Sequence, residues 1–445
     1  MRLKLNNILK IANADIELGG LTVITGVNDS GKSTIGKVLF STLKAVNNAS
    51  QINETDAIFK IKFQLSFIKR MLIRQEINLQ ELNDIRNLTI RLIERTFNEI
   101  DTLTKSILEN EQIKNLSSRS LSILEKRLSA IHTIIEKFYN PNLSIKEEFI
   151  KISNSEFTTY LLNSFGKECA SIEFYDDTNN KHGSTIKIDF ANNSLCDIKV
   201  NGMFSIEDIT YIESPVYLPI LNALRLSNSF QSSQFQSTFP YLQKENIPYH
   251  IADMAEKILT REEFVLGLFD TLNTPHIQPL LNEINSLVGG TFIVNIKDNQ
   301  LYFCKKSGEK IPAINVATGV KSFGVLLRLL ETNNISTSKI LVIDEPEIHL
   351  HPEWQIKFCK LIIELIAKGI PIVISTHSPD FLQGLRYYAA AKGIEQEVVY
   401  YLAEEGDDGL SNLRNVTDNL NDVFSLLAAP LQSVMNVDEV RNSQK

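Results

Sequence analysis

The chain has 445 residues, of which 43% are hydrophobic and 22% charged, a composition typical of globular proteins. Because 45 Lys and Arg residues face 53 Asp and Glu residues, the net charge is −8, and no global positive field would hold a nucleic acid. The four cysteines form no CxxC pair, the first residues contain no apolar run of the kind found in signal peptides, and no apolar run approaches the length of a membrane span. We therefore expect a soluble cytoplasmic protein with reduced thiols and no membrane partner.

The first 45 residues predict strands, a glycine-rich loop and a helix, in that order. Apolar residues alternate between Leu3 and Leu18, as in half-buried strands, and residues 21–25 predict a buried strand. Residues 26–34, GVNDSGKST, then fit the P-loop pattern, with a helical pattern behind them. Such a loop binds phosphates through backbone N–H groups and its lysine, and binds Mg²⁺ through a hydroxyl. The alternative is a chance glycine-rich turn. The predicted nucleotide-binding residues are Gly26, Asn28, Ser30, Gly31, Lys32, Ser33 and Thr34, with Ser33 also a ligand of Mg²⁺.

Residues 59–149 predict helices. Two runs, residues 90–107 and 121–138, carry apolar residues at heptad spacing with a polar break between them. This pattern favours an antiparallel coiled-coil hairpin, and the short runs favour an arm or lobe over a long coiled coil. The alternative is a pair of core helices in an all-helical lobe.

Strand-like segments return between residues 171 and 212, and a serine- and glutamine-rich stretch at residues 227–237 predicts a mobile loop. Helices are predicted at residues 250–259 and 276–287, and a β-hairpin at residues 292–304. From residue 340 onward strands and helices alternate, which predicts a parallel sheet with crossover helices.

Two apolar strands near the C-terminal end are followed by residues suited to phosphate chemistry. Residues 339–345, KILVIDE, predict a strand that emerges beside the P-loop, where Asp344 would hold Mg²⁺ and Glu345 would polarise the attacking water. The alternative is a buried strand with two exposed acids. The second strand ends before His377, which can donate a hydrogen bond to the γ-phosphate and orient the water. One crossover helix separates the strands, so we expect them to be neighbours. The predicted catalytic residues are Glu345, His377 and Lys32.

The segments DEPEIHLHPEWQ (residues 344–355) and STHSP (residues 375–379), together with the P-loop, resemble the motifs of ABC-type ATPases of the SMC, RecF and OLD group. The resemblance covers residues 1–45 and 310–385. It implies an α/β P-loop ATPase head with a mixed sheet and a helical insertion, which binds ATP and Mg²⁺ and hydrolyses ATP. It also implies a dimer-facing role for His349 and His351, which we prefer to metal binding because no third ligand is evident nearby.

The resemblance further implies a signature motif that one subunit supplies to the nucleotide of the other. The best candidate is residues 315–322, NVATGVKS, with Thr318, Gly319 and Lys321 at the start of a predicted helix. A glycine and a hydroxyl at a helix N-terminus can bind a γ-phosphate. The Thr-Gly pair departs from the serine–glycine pair of the family, which bears on the rate of hydrolysis but not on nucleotide binding. The alternative is a plain N-cap at Thr318. No Q-loop glutamine can be assigned.

We predict four segments in the chain. Residues 1–55 are the N-terminal half of the ATPase head, residues 56–152 a helical or coiled-coil insertion, residues 153–305 mixed strands and helices, and residues 306–445 the C-terminal half of the head. Residues 404–409, EEGDDG, have a superficial likeness to the opening of the nuclease domain of OLD nucleases. No strand ending in DxD follows them, so we predict a hairpin turn there and no nuclease site.

The resemblance to stand-alone OLD-like ATPases implies a sensor or scaffold in bacterial anti-phage modules. Its expected partners are a second copy of itself, as an ATP-dependent homodimer or higher homo-oligomer, and a separately encoded effector such as a nuclease or toxin. The alternative is a DNA-repair or chromosome-maintenance ATPase of RecF or SMC type, with DNA as its ligand. A transporter subunit is opposed by the helical insertion and the altered signature. A regulator without hydrolysis is opposed by Glu345.

Overall fold

The computed structural model divides the chain into two compact units. Residues 1–44 and 151–445 form the first, here called the head unit, and residues 45–150 form the second, here called the helical unit. The predicted four-segment boundaries stay a prediction. The structure describes residues 1–50, 54–75, 116–157, 169–177, 183–191, 194–213, 247–259, 278–295 and 300–427, together with residues 104, 105, 107, 113 and 217. Most of the first heptad run and the whole stretch at residues 227–237 lie outside these residues.

The strands described in the head unit form one large mixed sheet and one small antiparallel sheet. The strands are β1 (Arg2–Ile8), β2 (Ile11–Glu17), β3 (Leu21–Gly26), β4 (Cys169–Asp176), β5 (Ser184–Ala191), β6 (Ser194–Asn201), β7 (Asp208–Ile212), β8 (Gly290–Val294), β9 (Leu301–Lys305), β10 (Lys310–Pro312), β11 (Lys339–Asp344), β12 (Ile372–Thr376), β13 (Val398–Glu405) and β14 (Ser411–Asn415). The large sheet has the order β6-β5-β4-β1-β2-β14-β13-β3-β12-β11-β7, and the small one β10-β9-β8.

Helices are described in both units. The described helices are α1 (Lys32–Ser50), α2 (Glu54–Ile73), α3 (Ser118–Tyr139), α4 (Pro141–Phe157), α5 (Tyr249–Leu259), α6 (Gln278–Val288), α7 (Thr318–Glu331), α8 (Pro352–Ile366) and α9 (Pro379–Lys392). Residues 420–427 are helical as well. Within the part of the chain that the structure describes, no helix has the length and apolar character needed to cross a membrane.

The centre of the large sheet is parallel. Strands β13, β3, β12, β11 and β7 all run in one direction. Every residue of β3 and β12 is buried, as expected for strands covered on both faces. Because parallel strands end at the same edge, the segments that follow β3, β11 and β12 all emerge at one side, here called the carboxyl edge.

The elements confirm most of the sequence predictions, with one difference in strand order. The acidic strand β11 does not lie directly beside the P-loop strand, because β12 pairs with both β3 and β11. The predicted hairpin turn is confirmed, although Glu404 and Glu405 are the last residues of β13 and the turn itself is at residues 406–410, between the antiparallel strands β13 and β14. Strand β14, SNLRN, was not predicted, because its sequence is polar and only its first residue is buried.

The helical unit packs α2 against α3. The fully buried residues of α2 recur at three- and four-residue spacing, from Ala57 to Leu72, and meet Leu124, Leu128 and Ile131 of α3. The prediction of a helix at residues 121–138 is confirmed by α3, which ends at the C-cap Asn140, and the next helix begins at Pro141. The predicted pairing of the two heptad runs lies mostly outside the described residues and stays a prediction.

Candidate functional site

The loop between β3 and α1 is tightly folded around two glycines. Gly26 and Gly31 both have positive φ, +152° and +84°. A Cβ on Gly26 would lie 2.8 Å from the Ala403 carbonyl oxygen, and one on Gly31 would lie 2.5 Å from Ile11 Cδ1. Any larger residue at either position would therefore displace its neighbours. The loop leads directly into Lys32, the first residue of α1, so the free N–H groups of the helix lie at the loop.

The polar groups of this loop fit a phosphate. Lys32 is 5% exposed, and its ammonium donates hydrogen bonds to the carbonyl oxygens of Gly26 (3.1 Å) and Val27 (2.7 Å). Burial lowers the pKa of Lys32, while the charges of Glu345 and Asp344 oppose that shift. The Ser30 hydroxyl is buried and has no hydrogen-bond partner among the described residues. A buried cation, an unsatisfied hydroxyl and a helix N-terminus are the donors that phosphate oxygens accept from.

Asp344 ends β11 at the carboxyl edge, with both carboxylate oxygens occupied. Its Oδ2 accepts a hydrogen bond from the Tyr211 hydroxyl at 2.9 Å, and its Oδ1 accepts one from the Ser375 hydroxyl. An aspartate and a serine hydroxyl, here Asp344 and Ser33, supply the oxygen ligands that Mg²⁺ prefers when phosphate completes its shell. The donor chemistry therefore fits the predicted ion.

Glu345 and His377 meet at this edge. The Nδ1 atom of His377 lies 3.1 Å from Glu345 Oε1. Glu345 has φ of +45°, a conformation that non-glycine residues rarely adopt and that recurs at functional sites. Its backbone N–H is held by the Ser375 carbonyl oxygen at 3.1 Å. The structure thus brings together the two side chains that the sequence assigned to the attacking water.

Glu347 is a third carboxylate at this edge, and the sequence analysis gave it no role. It is 5% exposed, and its Oε1 accepts hydrogen bonds from the Thr376 hydroxyl (2.7 Å) and the His377 backbone N–H (3.1 Å). Burial raises the pKa of Glu347. The side chains of three consecutive residues, 375–377, therefore each hydrogen-bond to a different carboxylate of residues 344–347. Glu347 is the second glutamate of the DEPE sequence, and that position was the signal from which a role for it could have been predicted.

The signature-like residues lie at the start of α7. Ala317 is the N-cap, so Thr318 is the first helical residue and the N-cap alternative for Thr318 is wrong. A Cβ on Gly319 would lie 3.5 Å from Leu350 and 3.6 Å from Trp354, so this turn packs beside the segment that follows the acidic strand. The Lys321 ammonium donates to the Ile314 carbonyl oxygen at 3.1 Å, and burial lowers its pKa.

The two histidines of the same segment occupy special backbone positions. His349 has φ of +65°, and His351 is the N-cap of α8, where its Nδ1 accepts a bond from the Glu353 N–H at 3.4 Å. Among the residues that the structure describes, no group of three or more His, Cys, Asp or Glu side chains could hold a metal ion.

Strand β7 brings two further residues to the site that sequence reasoning missed. Tyr211 reaches Asp344, and Glu213 follows the strand end, where it contacts Lys37 (3.1 Å) and His250 (3.2 Å). Glu213, Asp344 and Glu345 line a cavity of about 200 Å³ together with apolar residues of α7 and α8. The sequence ESP after a predicted strand was a weak signal, because nothing local shows that β7 pairs with β11.

A glycine loop before a buried lysine, an acidic strand end and a histidine strand end at one edge of a parallel sheet define a P-loop ATPase head. The family model described as an AAA ATPase domain matches residues 1–382, and the chain belongs to this family. The predicted resemblance to ABC-type ATPases of the SMC, RecF and OLD group is confirmed, as is the α/β fold class with its mixed sheet.

Two curated relatives match short segments. The OLD nuclease of Thermus scotoductus is 31% identical over 118 residues, which are 25% of this chain and 22% of the relative. The Septu protein PtuA of Bacillus thuringiensis is 31% identical over 103 residues, which are 23% of this chain and 24% of the relative. The chain thus spans less than a quarter of the length of either relative.

Solved structures of SMC heads are similar over most of the chain. The SMC head domain from Thermotoga maritima has 11% identity and a TM-score of 0.38, covering 93% of this chain and 98% of that one. An Smc head with an extended coiled coil bound to the C-terminal domain of ScpA, derived from Pyrococcus furiosus, has 12% identity and a TM-score of 0.43, covering 99% and 98%.

Proposed function

We propose that this protein binds ATP with Mg²⁺ at the carboxyl edge of the head unit and hydrolyses it to ADP and phosphate. The observation that carries this proposal is the 3.1 Å contact between Glu345 and His377, at the sheet edge that also holds the P-loop and Asp344. A carboxylate and an imidazole side by side can accept a proton from water and orient it for attack.

Each residue has a definite task in this reaction. The backbone of residues 26–34 and the Lys32 ammonium bind the phosphates, and Ser33 and Asp344 hold Mg²⁺, which when bound neutralises charge on the phosphates. Glu345 accepts a proton as the water oxygen bonds to the γ-phosphorus and the bond from that phosphorus to the bridging oxygen breaks. His377 donates a hydrogen bond that fixes the line of attack.

The Glu345→Gln variant tests the base. Since a positioned base contributes about 10²–10⁴-fold to a rate, we expect phosphate release to fall by at least about 100-fold while ATP binding by calorimetry stays within about twofold of the parental value. Glu353→Gln, at an exposed glutamate of the same segment, is the matched control and should hydrolyse normally. Parental turnover by Glu345→Gln would show that the base is another residue.

We further propose that two or more copies of the protein close around ATP, with Thr318, Gly319 and Lys321 of one copy at the nucleotide of another. In this proposal the assembly acts in the cytoplasm, where it controls a separately encoded nuclease or toxin in anti-phage defence. The match to a Septu protein and to an OLD nuclease supports this class of role. The position of Thr318 and Gly319 in the first turn of α7 supports phosphate contact, since N–H groups there lack helical partners.

Mass photometry of Glu345→Gln tests the assembly. With ATP and Mg²⁺ we expect a dimer or a larger oligomer, and with ADP a smaller species. Adding Gly319→Asp to the same background places a negative charge where the γ-phosphate would lie, and it should abolish the ATP-dependent shift. An unchanged mass distribution in ATP and ADP would refute nucleotide-driven assembly. Copurification of the products of neighbouring reading frames would identify the effector.

A further inference from the structure

Asp344 is held from two sides by hydroxyl groups on neighbouring strands. Ser375 of β12 donates to Oδ1, and Tyr211 of β7 donates to Oδ2 at 2.9 Å. Strands β7 and β11 are parallel, with Tyr211 opposite Val342 in the pairing register. The tyrosine therefore reaches forward along the sheet to the end of the neighbouring strand. Nothing in the ATPase proposal so far uses this hydroxyl.

Close packing on several sides holds the Tyr211 ring in one orientation, which fixes the direction of its hydroxyl group. A Cβ added to Gly36 of α1 would lie 2.7 Å from Tyr211 Cε2, so the absence of a side chain there makes room for the ring. On other sides the ring contacts His250, at 4.8 Å between ring centroids, and Phe40, at 6.3 Å. Tyr211 is 1% exposed, and close-packed interiors hold such a ring in one rotamer.

We propose that Tyr211 is a positioning residue for the Mg²⁺ site. Its hydroxyl fixes the rotamer of the Asp344 carboxylate, so that the remaining lone pairs of both oxygens face the ion. Hydrogen-bond partners of this kind orient metal ligands, and their loss typically costs about 10–100-fold in metal affinity. The inference rests on the proposed function, because it assumes that Asp344 binds Mg²⁺.

The Tyr211→Phe variant removes the hydroxyl and keeps the ring. The matched control is Tyr401→Phe in β13 of the same sheet, where a tyrosine that is 2% exposed loses a hydroxyl that accepts a bond from the Glu17 N–H at 2.8 Å. Both variants lose one hydrogen bond of a buried tyrosine, so a purely structural effect would appear in both. Only a change at Asp344 would alter the requirement for Mg²⁺.

The measurement is a Mg²⁺ titration of the thermal stabilisation by a non-hydrolysable ATP analogue. We expect the half-saturating Mg²⁺ concentration of Tyr211→Phe to rise by about 10–100-fold, and that of Tyr401→Phe to match the parental protein. Binding of ADP in EDTA should be equal in all three, because the phosphate donors of the loop are untouched. Equal Mg²⁺ requirements in the two variants would overturn the inference. Absence of Mg²⁺-dependent stabilisation in the parental protein would instead overturn the proposed function.

Gly36→Ala tests the same inference without touching the hydroxyl. The new methyl group would displace the Tyr211 ring, although alanine is the better helix former. We expect the same rise in Mg²⁺ requirement. Gly384→Ala in α9, whose Cβ would lie 3.0 Å from Cys359 Sγ, is the control for a tight glycine replacement elsewhere. A parental Mg²⁺ requirement in Gly36→Ala would overturn the inference even if Tyr211→Phe failed to fold.

Discussion

Glu345 and Glu347 are two residues apart, yet they have opposite surroundings. Glu345 is partly exposed and contacts the His377 ring, whereas Glu347 is buried against Thr376 and the His377 backbone. Glu345 is therefore the carboxylate that can contact water, whereas Glu347 holds the end of β12 and the backbone of His377 in place.

Replacing Glu347 by alanine should therefore disturb the site more than replacing it by glutamine. Alanine leaves the buried Thr376 hydroxyl and the His377 N–H without their acceptor, which costs about 1–3 kcal/mol for an unsatisfied buried group. Glutamine keeps an oxygen acceptor of the same shape. We expect Glu347→Ala to lose stability in urea and to lower kcat, and Glu347→Gln to retain most of both. Equal losses in the two variants would contradict the positioning role of Glu347.

His250 gives the stability of the head unit a dependence on pH. It is buried beside the Tyr211 ring, with Nδ1 2.7 Å from Glu156 and Nε2 3.2 Å from Glu213, which also pairs with Lys37. Burial alone would lower the pKa of His250, but the hydrogen bonds to Glu156 and Glu213 raise it above 6.5. The bond to His250, followed by the charge of Lys37, lowers the pKa of Glu213 to about 2.

These shifts predict a stability maximum in weakly acidic solution. Because the pKa of His250 is raised on folding, its contribution to stability is complete below pH 6.5 and is lost as the pH rises through the pKa of the folded state. Because the pKa of Glu213 is lowered on folding, its contribution is complete above pH 4.5 and is lost as the pH falls through the pKa of the folded state. The difference in melting temperature between parental protein and His250→Gln should be largest between pH 4.5 and 6.5. His132→Gln, at an exposed histidine of the helical unit, is the control. A difference that does not vary with pH would contradict the prediction.

At the scale of elements, helix α1 is tied to β7 and α5 by a buried group of four charges. Lys44 pairs with Asp208 (2.9 Å) and Asp253 (2.6 Å), and Lys257 pairs with the same two aspartates at 2.8 Å each. Burial alone would lower the pKa of Lys44 and raise that of Asp208, but their opposite charges reverse both shifts. Two cations and two anions balance, so the group is stable only while complete.

Lys44→Met should be strongly destabilising, because it leaves the buried Asp253 and the largely buried Asp208 with one lysine. Breaking a buried ion pair from one side costs about 3–5 kcal/mol. Lys360→Met is the control, since Lys360 pairs with Glu283 on the surface, where the loss is about 0–1 kcal/mol. Urea unfolding of both variants measures the difference. Similar losses would mean that the four charges are screened as if they lay on the surface.

At the scale of the whole molecule, a bound nucleotide would contact residues that are far apart in the sequence. Lys32 belongs to α1 and Asp344 to β11, yet both lie at one edge of one sheet. A ligand that binds only the folded state adds about 2.7 kcal/mol at one hundred times its dissociation constant. We therefore expect ATP with Mg²⁺ to raise the melting temperature of the parental protein but not of Lys32→Ala. Lys357→Ala, at a half-buried lysine of α8, should respond like the parental protein.

The sequence predicted those parts of the site that depend on neighbours along the chain. The loop of residues 26–34 and the strands β3, β11 and β12 have local signatures, namely glycine spacing and unbroken apolar runs. Tyr211 and Glu213 could not be predicted, because their roles depend on the pairing of β7 with β11, a contact between residues far apart in sequence. The position of β12 between β3 and β11 is of the same kind, since strand order follows from packing of the whole sheet.

The three consecutive contacts made by residues 375–377 have a consequence for how this site can fail. Ser375 holds Asp344, Thr376 holds Glu347, and His377 holds Glu345. A slip of β12 by one residue would exchange the two faces of the strand and move all three residues away from their partners at once. One short strand and the residue after it thus fix the positions of all three carboxylates, so a deletion within β12 would disable all three together. A deletion in the turn before β12 would instead be accommodated by that turn.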